Sequence, residues 1–417
     1  MTAPRIEVRP LRPALHAEQT TTLTLLIRIH PAPVAAQAAR PDLNIALVID
    51  RSGSMGGRPL HMAREAAVAA VRQARPTDRL SVVAFDDHVD VVVPSQLVGD
   101  GEAIIRAIRT IDARGSTNLH GGWLEGATQV ATHLTPRALN RVVVLSDGQV
   151  NAGVTDTQAI ATHVRGLTQR GVSTSAIGLG EHYDEELLLA VANAGDGNFE
   201  HVEDAARLPT FFEEELQGLT RTTGRVVSLG LEPNPEFGVT VGEVLNPFER
   251  NSFGRLQLPN LVDGQPLDVV VRLHVPRLTR RPGDTVGVTR VRLAWQGLDG
   301  QRHRVRTQLD LPVLSEGDLQ ALPEDPAVLE AQALLDTARL KREAVQAIDR
   351  GDHDLARQHF GNARLVAMAA PMPAAALSAQ IEDVTLLEEA LNAGNTALSR
   401  KRAVSQAHAA SRSKRRE

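Results

Sequence analysis

Two short apolar runs of the sequence, 44–49 and 141–146, have the composition of buried parallel strands. A polar cluster follows each run directly: Asp50–Ser54 after the first and Asp147-Gly148 after the second. In an open α/β sheet the carboxyl ends of the parallel strands lie at one edge, and ligands bind there. The two runs therefore predict an α/β fold with a polar site at one edge of its sheet.

Strands and helices alternate across residues 42–221. The strand candidates, which carry short apolar or β-branched runs, are 44–50, 80–85, 89–93, 141–146, 173–179 and 199–202. The helix candidates, which lie between them, are 58–75, 101–111, 121–134, 156–170, 184–194 and 204–219. This alternation is typical of a mostly parallel sheet with helices on both faces. We therefore place an α/β domain at 41–221.

Between 226 and 313 the apolar residues follow a period of two, most clearly at 269–275. Several such strands without helices between them indicate an antiparallel β-sandwich, which we place at 222–314. One further strand candidate, 23–29, lies in the N-terminal segment 1–40, and an isolated strand needs a sheet to be stable. We expect it to pair with the sandwich, so that the α/β domain is an insertion.

The C-terminal segment, 315–417, is predicted to be helical. Its helix candidates are 326–350, 352–366 and 375–393. A basic stretch, 400–416, ends the segment. We expect this stretch to be a frayed, solvated tail; contact with nucleic acid or with an acidic partner is the alternative.

Size and composition limit the function. A chain of 417 residues is too long for one compact core, so two or three domains are expected. Cysteine is absent, which excludes disulfides, thiolate metal sites and a cysteine nucleophile. The formal charge of -5 gives no general reason to expect nucleic acid. No signal peptide and no apolar stretch of the ~20 residues that a membrane helix needs are visible, so we expect a cytoplasmic protein.

Five oxygen-bearing side chains in three separate segments form a candidate metal site: Asp50, Ser52, Ser54, Thr117 and Asp147. The first three alternate along the chain, so their side chains can converge on one ion. Hydroxyl and carboxylate ligands suit a hard cation, most naturally Mg²⁺ with ~6 ligands, and Mn²⁺ or Ca²⁺ are further candidates. Two carboxylates balance a divalent charge, and one coordination position is left for water or an incoming ligand.

These motifs resemble a known site. The segments Asp50–Ser54, Gly115–Asn118 and Leu145–Gly148 look like the metal-ion-dependent adhesion site of von Willebrand factor type A domains. The resemblance covers 42–220, and it extends to bacterial members and to the inter-alpha-trypsin inhibitor heavy chains. It implies a Rossmann-like sheet with the metal at the C-terminal edge of the strands.

The resemblance also implies residue roles and a function. Ser52 and Ser54 would bind the ion directly, Thr117 directly in the ligand-ready state, and Asp50 and Asp147 directly or through water. The sixth ligand in such domains is typically a Glu or Asp carboxylate of a protein partner. The chain is thus expected to be a metal-dependent protein-binding module without a catalytic role.

Two residues beside these motifs could form the rim of the site, meaning its outer edge where a partner would touch. They are Gly148 and His120, although we favour an exposed surface position for His120, near the start of a helix. Asp86-Asp87-His88 is expected to be a solvated turn. Trp123 and Trp295 are expected to be packing residues.

Two alternative functions come from other classes. One is an accessory or adaptor subunit of a ring ATPase, as in chelatase-type complexes, and the other is a nucleic-acid-associated protein of the Ro type. The chain has no ATPase core of its own, and only its C-terminal stretch is strongly basic. An enzyme is not expected, because no nucleophile–base pair or cofactor motif is visible.

Overall fold

The computed structural model describes residues 3–34, 40–135 and 137–412. The strands, numbered along the chain, are β1 (Arg5–Pro10), β2 (Leu15–His16), β3 (Thr21–His30), β4 (Leu43–Asp50), β5 (Arg79–Phe85), β6 (Val89–Leu97), β7 (Leu139–Ser146), β8 (Val172–Leu179), β9 (Asp196–Val202), β10 (Thr222–Pro233), β11 (Thr240–Val244), β12 (Leu256–Leu258), β13 (Leu261–Val262), β14 (Leu267–Val275), β15 (Thr285–Gln296) and β16 (Arg302–Leu314). The helices are α1 (Arg58–Gln73), α2 (Glu102–Ile108), α3 (Leu119–Thr132), α4 (Thr157–Thr168), α5 (Glu185–Ala194), α6 (Leu208–Thr220), α7 (Glu316–Ala321), α8 (Pro326–Asp349), α9 (His353–Ala369), α10 (Ala374–Asn392) and α11 (Thr396–Ser411).

The chain separates into two compact units. One consists of Val34–Val226 with Gly297–Gln301, and the other of Met1–Pro33, Val227–Gln296 and Arg302–Glu417. The second unit thus contains the sandwich strands together with the C-terminal helices. The four domain ranges given above stay predictions.

The first unit is built on a six-stranded sheet with the order β6-β5-β4-β7-β8-β9. Neighbouring strands pair in parallel, except that β6 is antiparallel to β5. The central strands β4 and β7 are buried along their whole length. On β4, Leu47 and Ile49 pack in a core with α1, α2 and α6, whereas Val48 faces Gly126 of α3 on the opposite face. The predicted α/β fold is confirmed.

The second unit contains two β-sheets. Their orders are β1-β3-β14-β11 and β12-β10-β15-β16-β2, and β13 pairs with β10. Strand β3 runs antiparallel to β14, with Ile27 opposite Val269. These two residues share one apolar core with Leu293 and Val313 of the other sheet. The N-terminal strand therefore joins the sandwich as predicted, and the α/β segment is inserted in the chain between β3 and β10.

The N-terminal segment contains two strands, β1 and β2, in addition to the one predicted. Strand β1 pairs with β3 at the edge of its sheet, with Val8 opposite Ile27. Its residues are mostly half-buried and it ends at Pro10, so it lacks the clear alternation of a strand with one buried face. Strand β2 has two residues, too few for any period to be visible.

The C-terminal helices differ from prediction at their last member. Helices α8, α9 and α10 match the three candidates, and α8 begins at the cap of Asp325, whose side chain accepts a hydrogen bond from Ala327 N. The basic stretch was expected to be a frayed tail, but residues up to 411 form α11, with Ser399, Lys401 and Ala403 buried. Its buried side chains are small or polar, so no apolar period indicated a packed helix. The rest of the predicted tail, 413–416, lies outside the described residues.

Helix α7 was not predicted either. Across the described ranges, no helix is both long and apolar enough to span a bilayer.

Candidate metal centre

The site lies where β4 and β7 end side by side. These strands are parallel neighbours, with Ile49 opposite Leu145, so Asp50 and Ser146 end at the same edge of the sheet. Asp50 is fully buried. Its Oδ1 accepts a hydrogen bond from Ser52 N at 2.8 Å, and its Oδ2 accepts one from Ser146 Oγ at 2.5 Å. The Asp50 carboxylate is therefore held in one orientation by both segments.

The serines of the first loop reach the second loop. Ser52 Oγ and Ser54 Oγ lie 3.1 Å apart, and Ser54 Oγ donates to Asp147 Oδ1 at 2.7 Å. Ser52 and Asp147 are buried, whereas Ser54 is exposed. The residues predicted from the first and last motifs thus form one connected cluster that opens to solvent at Ser54.

Thr117 joins this cluster across Gly148. A Cβ atom placed on Gly148 would lie 3.1 Å from Thr117 Oγ1, 3.5 Å from Ser54 Oγ and 3.7 Å from Ser52 Oγ. The three hydroxyl oxygens, which come from two distant segments, therefore surround one small region beside the backbone of Gly148. A glycine at this position keeps that region free of a side chain.

Backbone contacts hold the Thr117 loop against the first loop. Gly53 N donates to Gly115 O at 3.1 Å, and Thr117 N donates to Asn151 Oδ1 at 2.8 Å. Gly115 has a φ of +69°, and a Cβ atom there would come within 2.0 Å of Asp87 Oδ1. Only glycine combines this left-handed backbone with such close contact. Asn151 and Gly115 support the site without providing a predicted ligand.

The two carboxyl groups of the site have unusual electrostatics. Burial raises the pKa of Asp50 from its ordinary value of 3.8 to about 6, although hydrogen bonds from Ser146 and Ser52 oppose the rise. Burial also raises the pKa of Asp147, against the hydrogen bond from Ser54. Within the described part of the chain, no Lys, Arg or His side chain forms an ion pair with either group. The charge of nearby His182 lowers the pKa of Asp147 without forming an ion pair, so the site concentrates negative charge that no ion pair of the described residues neutralises.

Arg51, which lies between the ligand candidates, is directed to a separate charge cluster. Its Nε donates to Asp86 Oδ2 at 2.8 Å and its Nη2 donates to Asp90 Oδ2 at 2.5 Å; Arg114 makes the same two contacts at 2.8 Å each. Burial alone would raise the pKa of Asp86, but the backbone N–H of His88 and the two guanidinium groups lower it. Arg51 is thus held in ion pairs outside the site.

The expectation of a solvated turn holds for Asp87 and His88 but not for Asp86. Asp86 is fully buried, while Asp87 and His88 are exposed. Ligand atoms of these three residues lie within 4.8 Å of one another, but both oxygens of Asp86 already accept hydrogen bonds. No local sequence signal indicates this role, because Arg51 and Arg114 lie 35 and 28 positions from Asp86 along the chain.

His120 also corrects an expectation, because it is buried rather than exposed. Its Nε2 lies 3.0 Å from Nδ1 of His163 on α4, and burial lowers the pKa of His120.

Trp123, one turn further along α3, is a packing residue as predicted: it is fully buried, and its Nε1 donates to Thr174 Oγ1 at 3.1 Å. Trp295 is buried and stacks on His303.

Comparison with known proteins identifies the α/β domain. The family model of the von Willebrand factor type A domain matches residues 44–214. An uncharacterized protein of Synechocystis, sll0103, is 28% identical over 267 residues, which cover 61% of this chain and 62% of that protein. The rat inter-alpha-trypsin inhibitor heavy chain H3 is 28% identical over 246 residues, which cover 55% of this chain and 25% of the heavy chain. The match therefore spans less than two thirds of the length of either relative.

Solved structures are similar over nearly the whole chain. The von Willebrand factor type A protein from Catenulispora acidiphila superposes with a TM-score of 0.72 at 18% identity, covering 98% of this chain and 96% of that one. At this identity the likeness concerns the fold, including the sandwich and the C-terminal helices. A domain of the matched type is typically a protein-interaction module. Residues 44–214 of this chain form a von Willebrand factor type A domain.

Proposed function

We propose that this chain is a metal-ion-dependent protein-binding module. Asp50, Ser52, Ser54, Thr117 and Asp147 would hold Mg²⁺, with Mn²⁺ or Ca²⁺ as substitutes. A Glu or Asp carboxylate of a protein partner would complete the coordination. The role is binding and not catalysis.

One observation carries the proposal: the candidate ligands from three distant segments meet beside Gly148. Three hydroxyl oxygens lie within 3.1–3.7 Å of the position that a Cβ atom of Gly148 would take. The Ser54–Asp147 hydrogen bond joins one carboxylate directly to this group. Oxygen-only donors of this kind fit Mg²⁺ better than softer metals, which prefer nitrogen or sulfur.

The charge of the site supports a cation. Two buried carboxylates carry a formal charge that a divalent ion neutralises, and no ion pair with a basic side chain of the described residues does so. Ionised carboxylates buried without a partner are costly, which is why their pKa values rise. When bound, the ion supplies a positive field that attracts an acidic side chain to this otherwise acidic site.

The proposed rim consists of Gly148 and His120. Gly148 lies directly beside the three hydroxyl oxygens of Ser52, Ser54 and Thr117. Because it has no side chain, it leaves space for an incoming carboxylate. His120 follows Thr117 by three residues and keeps one ring nitrogen in contact with His163. Its contact with a partner stays a prediction.

Affinity capture from the native host tests the proposal. The immobilised full-length chain should retain its partner in Mg²⁺ and release it in EDTA, and Asp50→Ala should capture nothing in either buffer. Glu214→Ala, which removes an exposed carboxylate on α6, is the matched control and should behave like the wild type. Capture that survives both EDTA and the Asp50 substitution would refute metal-dependent binding.

A further inference from the structure

Strand β16 is an edge strand along most of its length. It pairs with β15 on one side, and on the other it pairs only with β2, at Val313 and Leu314. Among the described residues, no strand is hydrogen-bonded to 302–312 on that side, although β1 comes close to β16. An open edge of this kind presents backbone N–H and C=O groups that can pair with another extended chain.

Arginines occupy the outward positions of this edge. Arg302, Arg304 and Arg306 are exposed and alternate along β16, whereas Leu309 and Leu311 on the opposite face belong to the sandwich core. Successive side chains on one face of a strand are ~6.8 Å apart. Arg304 and Arg306 therefore place two positive charges on the outer face of the sheet, and Arg302 adds a third, although its Nη2 donates to Ser228 Oγ of β10 at 3.4 Å.

The backbone of the same arginines points to the open edge. Gly297 N donates to Gln301 O at 2.8 Å, which sets a hydrogen-bonded pair at the turn between β15 and β16. Hydrogen-bonded and non-hydrogen-bonded pairs alternate along an antiparallel ladder. Arg302, Arg304 and Arg306 consequently lie in the non-hydrogen-bonded pairs, and their N–H and C=O groups face away from β15.

The positive charge of these arginines is not neutralised locally. Arg306 lies directly opposite Arg292 on β15, and like charges in this position repel. Within the described ranges, Arg304 and Arg306 form no ion pair, and Arg292 is paired with Glu232. The acidic residue of the strand, Asp310, instead accepts a hydrogen bond from Gln308 at 2.7 Å. A ligand that carries negative charge would relieve the repulsion.

We propose that the open edge of β16 binds an extended acidic segment of a partner protein. The segment adds a strand to the sheet, and its carboxylates at alternate positions pair with Arg302, Arg304 and Arg306. This mode of recognition combines main-chain hydrogen bonds for affinity with side-chain charges for specificity. A single-stranded nucleic acid fits less well, because the outward positions of β16 and the facing positions of β15 carry no aromatic side chain on which bases could stack.

Fluorescence anisotropy with a labelled peptide of alternating Glu and Thr tests this surface. The full-length chain is used in EDTA, so that the proposed metal site does not contribute. Replacing both Arg304 and Arg306 by Gln should weaken peptide binding at least about tenfold, because two ion pairs are lost. Arg277→Gln, which changes an exposed arginine between β14 and β15, should alter the affinity by less than about twofold.

Two further ligands separate strand addition from simple charge attraction. The same peptide with N-methyl groups at alternate residues keeps its charge but cannot complete the ladder, and it should bind at least about tenfold more weakly. Equal binding of the methylated peptide, or no binding of the parent peptide, would overturn the proposal. Tighter binding of an oligothymidine that also depends on Arg304 and Arg306 would assign the edge to nucleic acid and would equally overturn it.

Discussion

The substitution Asp50→Asn should stabilise the protein while removing its response to metal. Asp50 is fully buried and accepts two hydrogen bonds, from Ser52 N and Ser146 Oγ. An asparagine of the same shape can still accept from Ser52 N, and its amide can donate to Ser146 Oγ once that hydroxyl rotates. The substitution therefore removes a buried negative charge with little loss of hydrogen bonding.

The magnitude follows from the pKa of Asp50. Its rise from 3.8 to about 6 corresponds to about 3 kcal/mol of unfolding free energy. Because the pKa of Asp50 is higher in the folded state than in the unfolded state, protonation of Asp50 favours folding. This contribution to the unfolding free energy is complete below pH 3.8 and is lost as the pH rises through about 6. At neutral pH the metal-free wild type therefore carries the full free-energy cost of a buried, ionised Asp50. The Asp50→Asn variant does not carry this cost. For a unit of this size, about 3 kcal/mol corresponds to roughly 6–12 °C in Tm.

Thermal unfolding followed by the fluorescence of Trp123 measures this effect. A Trp295→Phe background leaves Trp123, which is buried in the type A domain, as the one tryptophan of the chain. In EDTA the Asn variant should melt above the wild type; Mg²⁺ should raise the Tm of the wild type alone. Glu214→Gln is the control for removal of an exposed carboxylate. An Asn variant that melts below the wild type in EDTA, or that responds equally to Mg²⁺, would refute the reasoning.

Three further substitutions have expected outcomes. Gly148→Ala places a methyl group 3.1 Å from Thr117 Oγ1, so it should weaken Mg²⁺ binding at least about tenfold by calorimetry while circular dichroism stays unchanged. Glu215→Ala leaves the buried Arg141 without its ion-pair partner and should lower the unfolding free energy in urea by about 3–5 kcal/mol; a loss below about 1 kcal/mol would contradict this. Asp325→Ala removes the cap of α8 and the Arg9 ion pair and should lower the unfolding free energy in urea by about 1–2 kcal/mol; because the folded pKa of Asp325 is lowered, the difference from the wild type shrinks below pH 3.8 and is lost as the pH falls through that lower pKa.

The sequence signals that single out the candidate ligands are local, and their role as metal ligands stays a prediction. Buried runs such as 44–49 end in polar residues, and the order of parallel strands brings those ends together. The contacts around the site were less predictable. The ion pairs of Arg51 with Asp86 and Asp90 join residues that are 35 and 39 positions apart, and no local pattern indicates them.

The missed elements share a physical cause. Strand β1 is a half-exposed edge strand, and α11 buries small and polar side chains such as Ser399 and Ala403. Periodicity reveals an element only when one of its faces is apolar and the other polar. The burial of His120 likewise depends on α4, which supplies His163 from a distant part of the chain.

Calorimetric titration of Mg²⁺ into the EDTA-treated and dialysed full-length chain tests the central claim most directly. The account predicts one binding site per chain in the wild type and in Glu214→Ala, and none in Asp147→Ala, because that carboxylate bonds to Ser54 within the ligand group. A wild type that binds no divalent ion, or an Asp147→Ala variant that binds it with unchanged affinity, would contradict the account.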